Sequence, residues 1–392
     1  MLENIVKLIL FFFLKIIPKS KNILVFGDRG GIRFADNSRY LFLYLNKNHS
    51  EFRCIWITKN PEIVSLLKNL NYEVYLSNSI KGIYYCLIAK WHLFNFIEDD
   101  IHKVITTFSN SILLWHGVLP KKLNSIIHKP NTVNNFIYKR IKKYFVYPNE
   151  KLAKNIIDRF PKYKYDLLKS NLPRNLHLNE NKETFLTINE DKINKEIIFS
   201  KKKIYGYFPT WREDGLEVFR DIENLEKLND LNDALKKLNS IILLKKHMNS
   251  EKKDGDRRYN PEIEKMILKL QDLESFMFAD YDTDLNSILI KCDYLITDYS
   301  GVVFDFLYLK RPIILYVPDY EEFLTKNGFS LNIVEKKISK IANNIDDLIN
   351  LIETNANNNI EKEIMNNMSI IKKEVFPKIN KGIENIIIKL KS

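Results

Sequence analysis

The sequence predicts an α/β protein built from two units of similar size. Short apolar, β-rich segments alternate with amphipathic helical segments along most of the 392 residues. Such alternation indicates parallel sheets that are covered by helices on both faces. It is interrupted once, over roughly 177–202, where the chain is polar, charged and only weakly periodic. We therefore predict two Rossmann-type domains facing a central cleft at the carboxyl ends of their sheets, where ligands bind in such folds.

The composition is that of a folded, basic protein. Hydrophobic residues make up 45% of the chain and charged residues 28%, which argues against extensive disorder. The net charge of +12 favours a polyanionic partner: nucleic acid, an anionic membrane surface or a phosphorylated substrate. The lysines are dispersed and not interleaved with aromatic residues, so we expect no nucleic acid partner. Cys54, Cys86 and Cys292 form no CxxC pair and lie in or beside apolar runs, which predicts buried, reduced thiols.

Residues 1–20 are predicted to form a first helix. Its uninterrupted apolar run, Leu8 to Leu14, is far shorter than the ~20 residues of a spanning helix. No small-residue cleavage site follows it, and no other segment has the pattern of a membrane span. One interpretation is an amphipathic helix in the membrane interface, and the other is a helix packed on its own domain. The basic residues that would lie near lipid phosphates are Lys7, Lys15, Lys19 and Lys21.

The first domain, residues 21–196, contains the first series of predicted strands. The run at 54–58 is followed by a helical stretch in which Ile63, Leu66, Leu67 and Leu70 share one face, at i, i+3, i+4 and i+7. The predicted strands of this domain are 22–27, 54–58, 72–76, 103–108, 112–117 and 144–149.

The second domain, residues 197–392, repeats the alternation. The last stretch, 360–391, is predicted to be helical, with apolar residues such as Met368 and Ile386 available for packing. The predicted strands are 203–208, 240–246, 275–279, 294–297 and 312–317. The predicted helices between them are 223–238, 262–271, 284–291 and one that begins at 301.

The segment "CDYLITDYSGVVFDF" (292–306) passes from a predicted buried strand into a predicted helix. Ser300 falls at the N-cap or first turn, where its hydroxyl and the N–H groups at and after Gly301 suit a phosphate or pyrophosphate. The alternative is a serine that only caps its own helix. Asp298 would repel a phosphate, so we expect it to hold the loop or bind a hydroxyl. Asp305 is either a further candidate or simply solvated.

Two further strand ends of the second domain carry groups that suit phosphate. In "YGYFPTWRED", Thr210 and Arg212 lie in a loop after a strand, and arginine is suited to forked binding of phosphate oxygens. A salt bridge to the following acidic residues is the alternative. In "LLKKHMNS", Lys245 and His247 stand at another strand end. This convergence of three strand ends predicts a phosphate site.

One histidine closes a predicted strand of the first domain. In "LLWHGV", His116 ends an apolar run, and Gly117 would let a substrate approach the backbone. A histidine in that place is a candidate general base, because its pKa lies near working pH. The alternative is a histidine that is merely packed or exposed. No HExxH, CxxC, Walker A or post-strand GxGxxG pattern occurs, so cationic side chains and a helix terminus are expected to neutralise a phosphoryl leaving group.

Together these segments resemble the CDP-glycerol glycerophosphotransferase family of teichoic acid and capsule polymer synthesis. The resemblance covers most of the chain and is specific in the order and spacing of its segments. They are "DNSRYLFLYL" (36–45), "WHGV" (115–118), "LPRN" (172–175), "FPTWR" (208–212), "KKH" (245–247) and "LITDYSGVVFDF" (295–306).

The resemblance implies a GT-B-like fold with an acceptor-side first domain and a donor-binding second domain. It implies transfer of glycerol phosphate from CDP-glycerol, with no tightly bound cofactor, to a hydroxyl of a lipid-linked saccharide or growing polymer, with release of CMP. It also implies peripheral attachment at the cytoplasmic face of the membrane. His116 matches the general base of the family and His247 the histidine that assists the donor pyrophosphate. The predicted donor-binding residues are Thr210, Arg212, Lys245, Asp298, Ser300 and Gly301, with Gly117, Arg174 and Asp305 as further candidates.

Three departures from the family pattern concern the donor more than the reaction class. Met248 stands where proline is common, and Leu176 where aspartate is common. Gly301 replaces a second serine, which removes a hydroxyl but keeps the backbone N–H. Two enzymatic alternatives therefore remain: a transferase that uses CDP-ribitol, and a GT-B glycosyltransferase that uses a nucleotide sugar. A basic nucleic-acid-binding or scaffolding protein ranks last, because the distinctive groups cluster at strand ends.

Overall fold

The structure is a computed structural model that divides into two compact units. Unit 1 comprises Met1–Gly117, Leu123–Glu180 and Phe376–Ser392, and unit 2 comprises Val118–Lys122 and Asn181–Val375. Each unit contains a parallel sheet, which confirms the predicted α/β class with two domains. The residues described are 2–122, 132–157, 165–180, 195, 201–210, 212, 219–221, 225–245, 261–280, 283–354, 361–377 and 382–392.

Unit 1 is built on a parallel sheet whose three central strands are buried along their length. The strands are β1 (Ile23–Gly27), β2 (Arg53–Thr58), β3 (Val74–Leu76), β4 (Trp91–Phe94), β5 (Ser111–Leu113), β6 (Lys143–Tyr147) and β7 (Asp166–Lys169). Within the described residues they form one seven-stranded sheet in the order β3-β2-β1-β4-β5-β6-β7. The first six follow the Rossmann order, and this order places the ends of β1, β4 and β5 side by side.

Helices alternate with the strands of this sheet along the chain. They are α1 (Leu2–Ile16), α2 (Asp36–Asn48), α3 (Pro61–Asn69), α4 (Ile80–Ile88), α5 (Lys103–Thr107), α6 (Thr132–Tyr138), α7 (Glu150–Ile157) and α8 (Pro173–Glu180). Asn60 caps α3 and Ser79 caps α4, each by accepting a hydrogen bond from a backbone N–H of the first turn.

Unit 2 repeats the architecture with one strand fewer among the residues described. Its strands are β8 (Lys203–Tyr207), β9 (Ser240–Leu244), β10 (Phe276–Phe278), β11 (Tyr294–Thr297), β12 (Ile313–Tyr316) and β13 (Lys340–Ala342), in the order β10-β9-β8-β11-β12-β13. Its helices are α9 (Lys227–Lys237), α10 (Pro261–Gln271), α11 (Leu285–Leu289), α12 (Val302–Phe306), α13 (Tyr320–Lys326), α14 (Ile345–Thr354) and α15 (Lys362–Val375). The predicted strands of this unit are thereby confirmed.

Besides the edge strand β7, which was not predicted, two segments of unit 1 differ from the sequence prediction. The run 103–108, predicted as a strand, is the helix α5, which His102 caps by accepting from the Ile105 N–H at 3.4 Å. The strand β4 was not predicted, because a histidine interrupts its apolar pattern. That residue, His92, is fully buried and is bonded to the Thr106 hydroxyl at 2.9 Å and to the Cys86 carbonyl oxygen at 3.0 Å. A local cap thus supports α5, whereas side-chain hydrogen bonds to other segments hold β4.

The last residues of the chain return to unit 1, so the predicted domain 197–392 extends too far. The final helix, α16 (Glu384–Lys391), buries Ile386 and Leu390 completely. Lys90 donates through Nζ to the Leu390 carbonyl oxygen at 3.0 Å. Burial of this apolar face within unit 1 is what brings the segment back.

A short segment in the middle of the first predicted domain belongs instead to unit 2. The backbone N–H groups of Ser330 and Leu331 donate to the Pro120 carbonyl oxygen at 2.7 and 3.0 Å. Lys121 also forms an isolated antiparallel bridge with Phe329. These backbone bonds make Val118–Lys122 an integral part of unit 2.

Helix α1 has one packed face and one exposed apolar face. Phe11 is buried against Phe136, Ile137, Tyr138 and Ile141 of unit 1. The opposite face exposes Ile5, Val6, Ile9, Phe12, Phe13 and Ile16, which follow the helical spacing. None of the helices in the described ranges combines the length and the apolarity that crossing a membrane requires.

The three cysteines are buried free thiols, as the sequence predicted. Burial raises the pKa of Cys54 and of Cys86 to about 12, and it also raises that of Cys292. These thiols are therefore core residues and poor nucleophiles.

Candidate functional site

Three loops of unit 2 leave neighbouring strands at the same edge of its sheet. The strands β9, β8 and β11 are adjacent and parallel, so their carboxyl ends lie together. Lys245 follows β9, Thr210 and Arg212 follow β8, and the segment from Asp298 to Gly301 follows β11. The structure thus brings together the strand ends that the sequence singled out.

Asp298 joins two of these loops. Its Oδ1 accepts from both the backbone N–H and the hydroxyl of Thr210, at 2.9 and 2.5 Å. Its Oδ2 accepts from Nη2 of Arg212 at 2.9 Å. Asp298 and Thr210 are 5% and 6% exposed. In this structure Asp298 therefore holds the loop through Thr210, whose hydroxyl is committed to that contact, and its predicted part in donor binding stays a prediction.

Arg212 is held by two carboxylates and two aromatic rings. Besides Asp298, it contacts Asp319 through Nε at 3.1 Å, and its Nη1 donates to the Thr210 carbonyl oxygen at 2.9 Å. The guanidinium carbon lies 5.2 Å from the ring centre of Tyr299 and 4.9 Å from that of Phe323.

The electrostatics of Arg212 follow from these partners. Burial alone would lower the pKa of Arg212, but the Asp298 and Asp319 carboxylates outweigh it and keep the pKa above its ordinary value. The Tyr299 hydroxyl also donates to Asp319, at 3.0 Å. Asp319 follows β12 and was missed by the sequence analysis, because it is 107 residues from the arginine it binds.

Ser300 and Gly301 lie between β11 and α12. Ser300 is partly exposed, and its Oγ accepts weakly from the Val302 N–H at 3.4 Å. The helix α12 has only five residues, so the helix dipole behind Ser300 is smaller than that of a long helix. Gly301 leaves no room for a side chain, because a Cβ there would lie 2.2 Å from the Val118 carbonyl oxygen.

The remaining predicted residues of unit 2 have the following places. Lys245 is partly exposed and its Nζ donates to the Asp280 carbonyl oxygen at 2.7 Å. His247 lies outside the described residues. Asp305 is 1% exposed within α12, so the alternative that it is simply solvated is wrong.

A cavity of about 420 Å³ lies beside Asp319 in unit 2. Its walls come from the segments after β12 and β13, which include Tyr320 and Asn343, and from Arg220 and Asp221, which lie between β8 and α9. The Arg220 guanidinium lies 3.5 Å from Asp319, which links the cavity to the Arg212 network. Its volume falls in the range of small-molecule sites.

In unit 1, His116 lies just past β5 and is partly exposed. Its ring stacks on Trp115 with centres 4.2 Å apart and planes 28° apart, and it meets the edge of Phe96 at 5.6 Å. Trp115 has φ +61° and Gly117 has φ +133°. Residues other than glycine rarely adopt such positive φ angles. In this structure the group close to Gly117 is Arg174, since a Cβ on Gly117 would lie 2.5 Å from its Nη2, and the approach of a substrate to Gly117 stays a prediction.

The segments 36–45 and 172–175, on which the family resemblance was based, meet beside the turn formed by residues 115–117. Arg174 is bonded through Nη1 to Asp36 at 2.8 Å. Asn37 donates through Nδ2 to the Trp115 carbonyl oxygen at 2.9 Å and accepts from the Arg174 N–H at 3.1 Å. Asp36 and Asn37 were not among the predicted site residues, although they begin a segment on which the family resemblance was based.

A buried carboxyl group lies at the end of β1. Asp28 is 1% exposed and accepts from Nδ2 of Asn95 at 2.8 Å. Burial, together with the neighbouring Asp36 and Asp100 carboxylates, raises the pKa of Asp28 well above its ordinary value. Asn95, at the end of β4, also accepts from the Ser38 N–H at 3.0 Å. Over the described residues, no cluster of three or more His, Cys, Asp or Glu side chains is arranged to hold a metal ion.

Two α/β units with Rossmann strand order, and with polar and cationic groups at their carboxyl edges, define a GT-B-like transferase class. The model of the family described as CDP-glycerol:poly(glycerophosphate) glycerophosphotransferase matches residues 9–376. The chain belongs to this family, and the predicted family, GT-B-like fold and enzyme class are confirmed.

Proteins of known function that resemble this chain in sequence include enzymes of teichoic acid synthesis. The chain is 31% identical to a teichoic acid poly(glycerol phosphate) polymerase of Bacillus spizizenii, over 80% of this chain and 78% of that protein. It is 27% identical to a teichoic acid glycerol-phosphate transferase of Staphylococcus aureus, over 87% of each. Against the Bacillus subtilis poly(glycerol phosphate) polymerase, also at 27%, it spans 45% of the longer relative. Among solved structures, the wall teichoic acid polymerase TagF matches 99% of this chain with a TM-score of 0.67 at 23% identity, which supports the fold.

Proposed function

We propose that this protein transfers glycerol phosphate from CDP-glycerol to a hydroxyl of a lipid-linked saccharide or a growing teichoic acid polymer. The observation that carries the proposal is the adjacency of β9, β8 and β11, which assembles Lys245, the Thr210–Asp298 contact and Ser300 at one sheet edge. The carboxyl edge of a parallel sheet is where such folds bind nucleotides. Membership of a family named for this transfer supplies the substrate class.

The reaction is a displacement at the β-phosphorus of the donor. The acceptor oxygen forms a bond to that phosphorus, and the bond from phosphorus to the oxygen shared with the α-phosphate breaks. CMP leaves with the bonding electrons, and the acceptor proton passes to a base. We assign His116 as this base, a role worth about 10²–10⁴ in rate.

In unit 2 we assign the donor phosphates to Lys245, Ser300 and the backbone N–H of Gly301, with His247 contributing as the family resemblance implies. The position of Arg212 supports a different role from the one predicted for it. Its three guanidinium nitrogens donate to Thr210, Asp298 and Asp319, so it orders the donor loops. Its predicted contact with the donor phosphate stays a prediction.

Glycerol phosphate is favoured over ribitol phosphate by the pattern of relatives. Four relatives, at 31, 27, 27 and 26% identity, are glycerol phosphate enzymes. The ribitol-phosphate primase and polymerase match at 26 and 21%, over 62 and 86% of the chain. We therefore propose teichoic acid as the product class and CDP-glycerol as the donor.

We propose that the protein attaches peripherally to the cytoplasmic face of the membrane through α1. The exposed face of this helix presents Phe12 and Phe13, 55% and 57% exposed, and Ile16, 77% exposed. Lys7 and Lys15 lie on the same helix and suit anionic headgroups. The packed face holds the helix on unit 1, so insertion of the exposed face would bring the enzyme to a lipid-linked acceptor.

The test is incubation of the purified protein with CDP-glycerol and a lipid-linked disaccharide acceptor, followed by mass spectrometry. We expect products that carry added glycerol phosphate units, with release of an equal amount of CMP. A parallel panel of CDP-ribitol and nucleotide sugars is the control for donor choice. Nucleotide release from a sugar donor, with none from CDP-glycerol, would overturn the proposal.

A further inference from the structure

Asn37 is a fully buried amide that joins the turn containing His116 to a second segment of unit 1. Its Nδ2 donates to the Trp115 carbonyl oxygen at 2.9 Å, and its Oδ1 accepts from the Arg174 N–H at 3.1 Å. We propose that Asn37 is a positioning residue that sets the orientation of the His116 imidazole. The inference rests on the proposed role of His116 as general base.

The turn needs such support, because its backbone is unfavourable by itself. Trp115 has φ +61° and Gly117 has φ +133°. A residue with a side chain is strained in the left-handed region and persists there only when its surroundings hold it. The bond from Asn37 fixes the peptide that leads from Trp115 to His116. Since the His116 ring stacks on the buried Trp115 indole at 4.2 Å, the peptide and the indole together determine where the imidazole lies.

Arg174 holds the other side of the turn. A Cβ on Gly117 would lie 2.5 Å from its Nη2, so the guanidinium is in direct contact with the backbone after His116. Nη1 of Arg174 is fixed by Asp36 at 2.8 Å, with side chains 8% and 19% exposed. Asp36 and Asn37 are consecutive residues at the start of α2. One dipeptide therefore binds the turn directly and also anchors the arginine that packs on it.

The functional test is a double-mutant cycle between Asn37→Ala and His116→Ala. We expect Asn37→Ala to lower kcat about 10- to 100-fold, the scale of a reacting group displaced by about 1 Å, with the KM for CDP-glycerol unchanged. In the His116→Ala background there is no imidazole to orient, so Asn37→Ala should lower the residual rate no further. An equal loss in both backgrounds would overturn the proposal, because it would mean general support of the fold.

The structural test does not depend on activity. In protein with 15N-labelled histidine, the His116 ring signals are identified by their loss in His116→Ala. We expect Asn37→Ala to shift these signals while those of His92, which bonds to Thr106 and Cys86 elsewhere in unit 1, stay in place. Unchanged His116 signals in folded Asn37→Ala protein would overturn the proposal. A wild-type protein without glycerophosphate transfer would instead refute the proposed function and leave this test standing.

Two variants control for stability. Asn232→Ala removes a comparably buried amide, 5% exposed, which accepts from the Ser275 N–H at 3.2 Å in unit 2, and it should leave kcat unchanged. Asn37→Asp keeps the oxygen that accepts from Arg174 but loses the donor to Trp115, at nearly constant volume. It should reproduce the loss of kcat and the ring shift, and it serves if Asn37→Ala does not fold. Wild-type kcat in Asn37→Asp would contradict the assignment.

Discussion

Arg212 and Asp298 form an ion pair of 2.9 Å in which the side chains are 11% and 7% exposed. The same guanidinium contacts Asp319 at 3.1 Å. One cation thus compensates two buried carboxylates that come from the ends of different strands. A pair of this kind tightly couples the loops of unit 2 on which donor binding is proposed.

The first prediction concerns this pair. Arg212→Ala removes the cation that pairs with the buried Asp298 and leaves Asp319 with the more distant Arg220 at 3.5 Å, so we expect the free energy of unfolding to fall by about 3–5 kcal/mol. Urea denaturation of the wild type and the variant measures the loss. Arg53→Ala is the control, because Arg53 pairs with Glu73 at 2.7 Å in a partly exposed position. It should cost no more than about 1 kcal/mol, and equal losses in the two variants would contradict the prediction.

The second prediction concerns the close approach at Gly301. Gly301→Ala places a methyl group 2.2 Å from the Val118 carbonyl oxygen, and a backbone atom cannot rotate away as a side chain can. We expect a loss of about 1–3 kcal/mol in unfolding free energy, the usual cost of overpacking. Ser300→Ala, at the partly exposed neighbouring position, should change stability by only a few tenths of a kcal/mol. Equal melting temperatures for Gly301→Ala and Ser300→Ala in thermal denaturation would argue against the clash.

The third prediction is a pH dependence of stability that arises from Asp28. Because burial raises its pKa, the native state holds a proton that the unfolded state has released above about pH 3.9. Native stability therefore falls as pH rises from there towards the raised pKa. Asp28→Asn removes this loss, so the variant should be more stable than wild type at pH 7. Its free energy of unfolding should also vary less with pH.

Urea melts across pH 4 to 8 would measure this dependence. Asp166→Asn, at an exposed position of β7, is the control and should leave the slope of the wild-type profile in place. A profile for Asp28→Asn that is parallel to the wild type would mean that Asp28 is charged in the native state.

The fourth prediction tests the assigned base. His116→Ala should lower transfer by about 10²–10⁴, because proton removal from the acceptor loses its catalyst. CDP-glycerol binding, measured by calorimetry, should be retained, since the assigned donor groups belong to unit 2. His49→Ala, which removes a histidine bonded to Glu51 at 3.0 Å, is the control and should transfer normally. Near-normal turnover of His116→Ala would remove the assignment.

The fifth prediction concerns the membrane. Phe13→Glu places a charge on the exposed apolar face of α1, where Phe13 is 57% exposed, and should weaken sedimentation with vesicles that contain anionic lipid. Ile80→Glu adds the same charge at an apolar residue of α4 that is 89% exposed and should leave binding unchanged. Equal binding by both variants would show that α1 is not the contact.

The sequence predicted the strands of unit 2 well, because β8, β9, β11 and β12 are continuous apolar runs that end in polar residues. It was less successful in unit 1. The run that became α5 contains β-branched residues suited to a strand, and β4 includes His92, whose burial depends on two hydrogen bonds from other segments. Local pattern predicts a segment only when local and tertiary preferences agree.

The candidate site divides in the same way. The residue types at the strand ends, among them His116, Lys245 and Ser300, were visible in the sequence, and so was their family resemblance. Their partners were not, because Asp319 meets Arg212 across 107 residues and Asn37 meets Trp115 across 78.

The amino-acid order alone determined the alternating α/β pattern and the chemical groups at strand ends, since both depend on short-range periodicity and residue type. Only the tertiary structure decided that Arg212 is enclosed by carboxylates, that Gly301 is packed against a backbone oxygen, and that the last helix returns to unit 1. Those outcomes depend on which distant segments share a buried interior. There, unpaired charges and empty volume are costly, and the packing of the whole unit selects the partners.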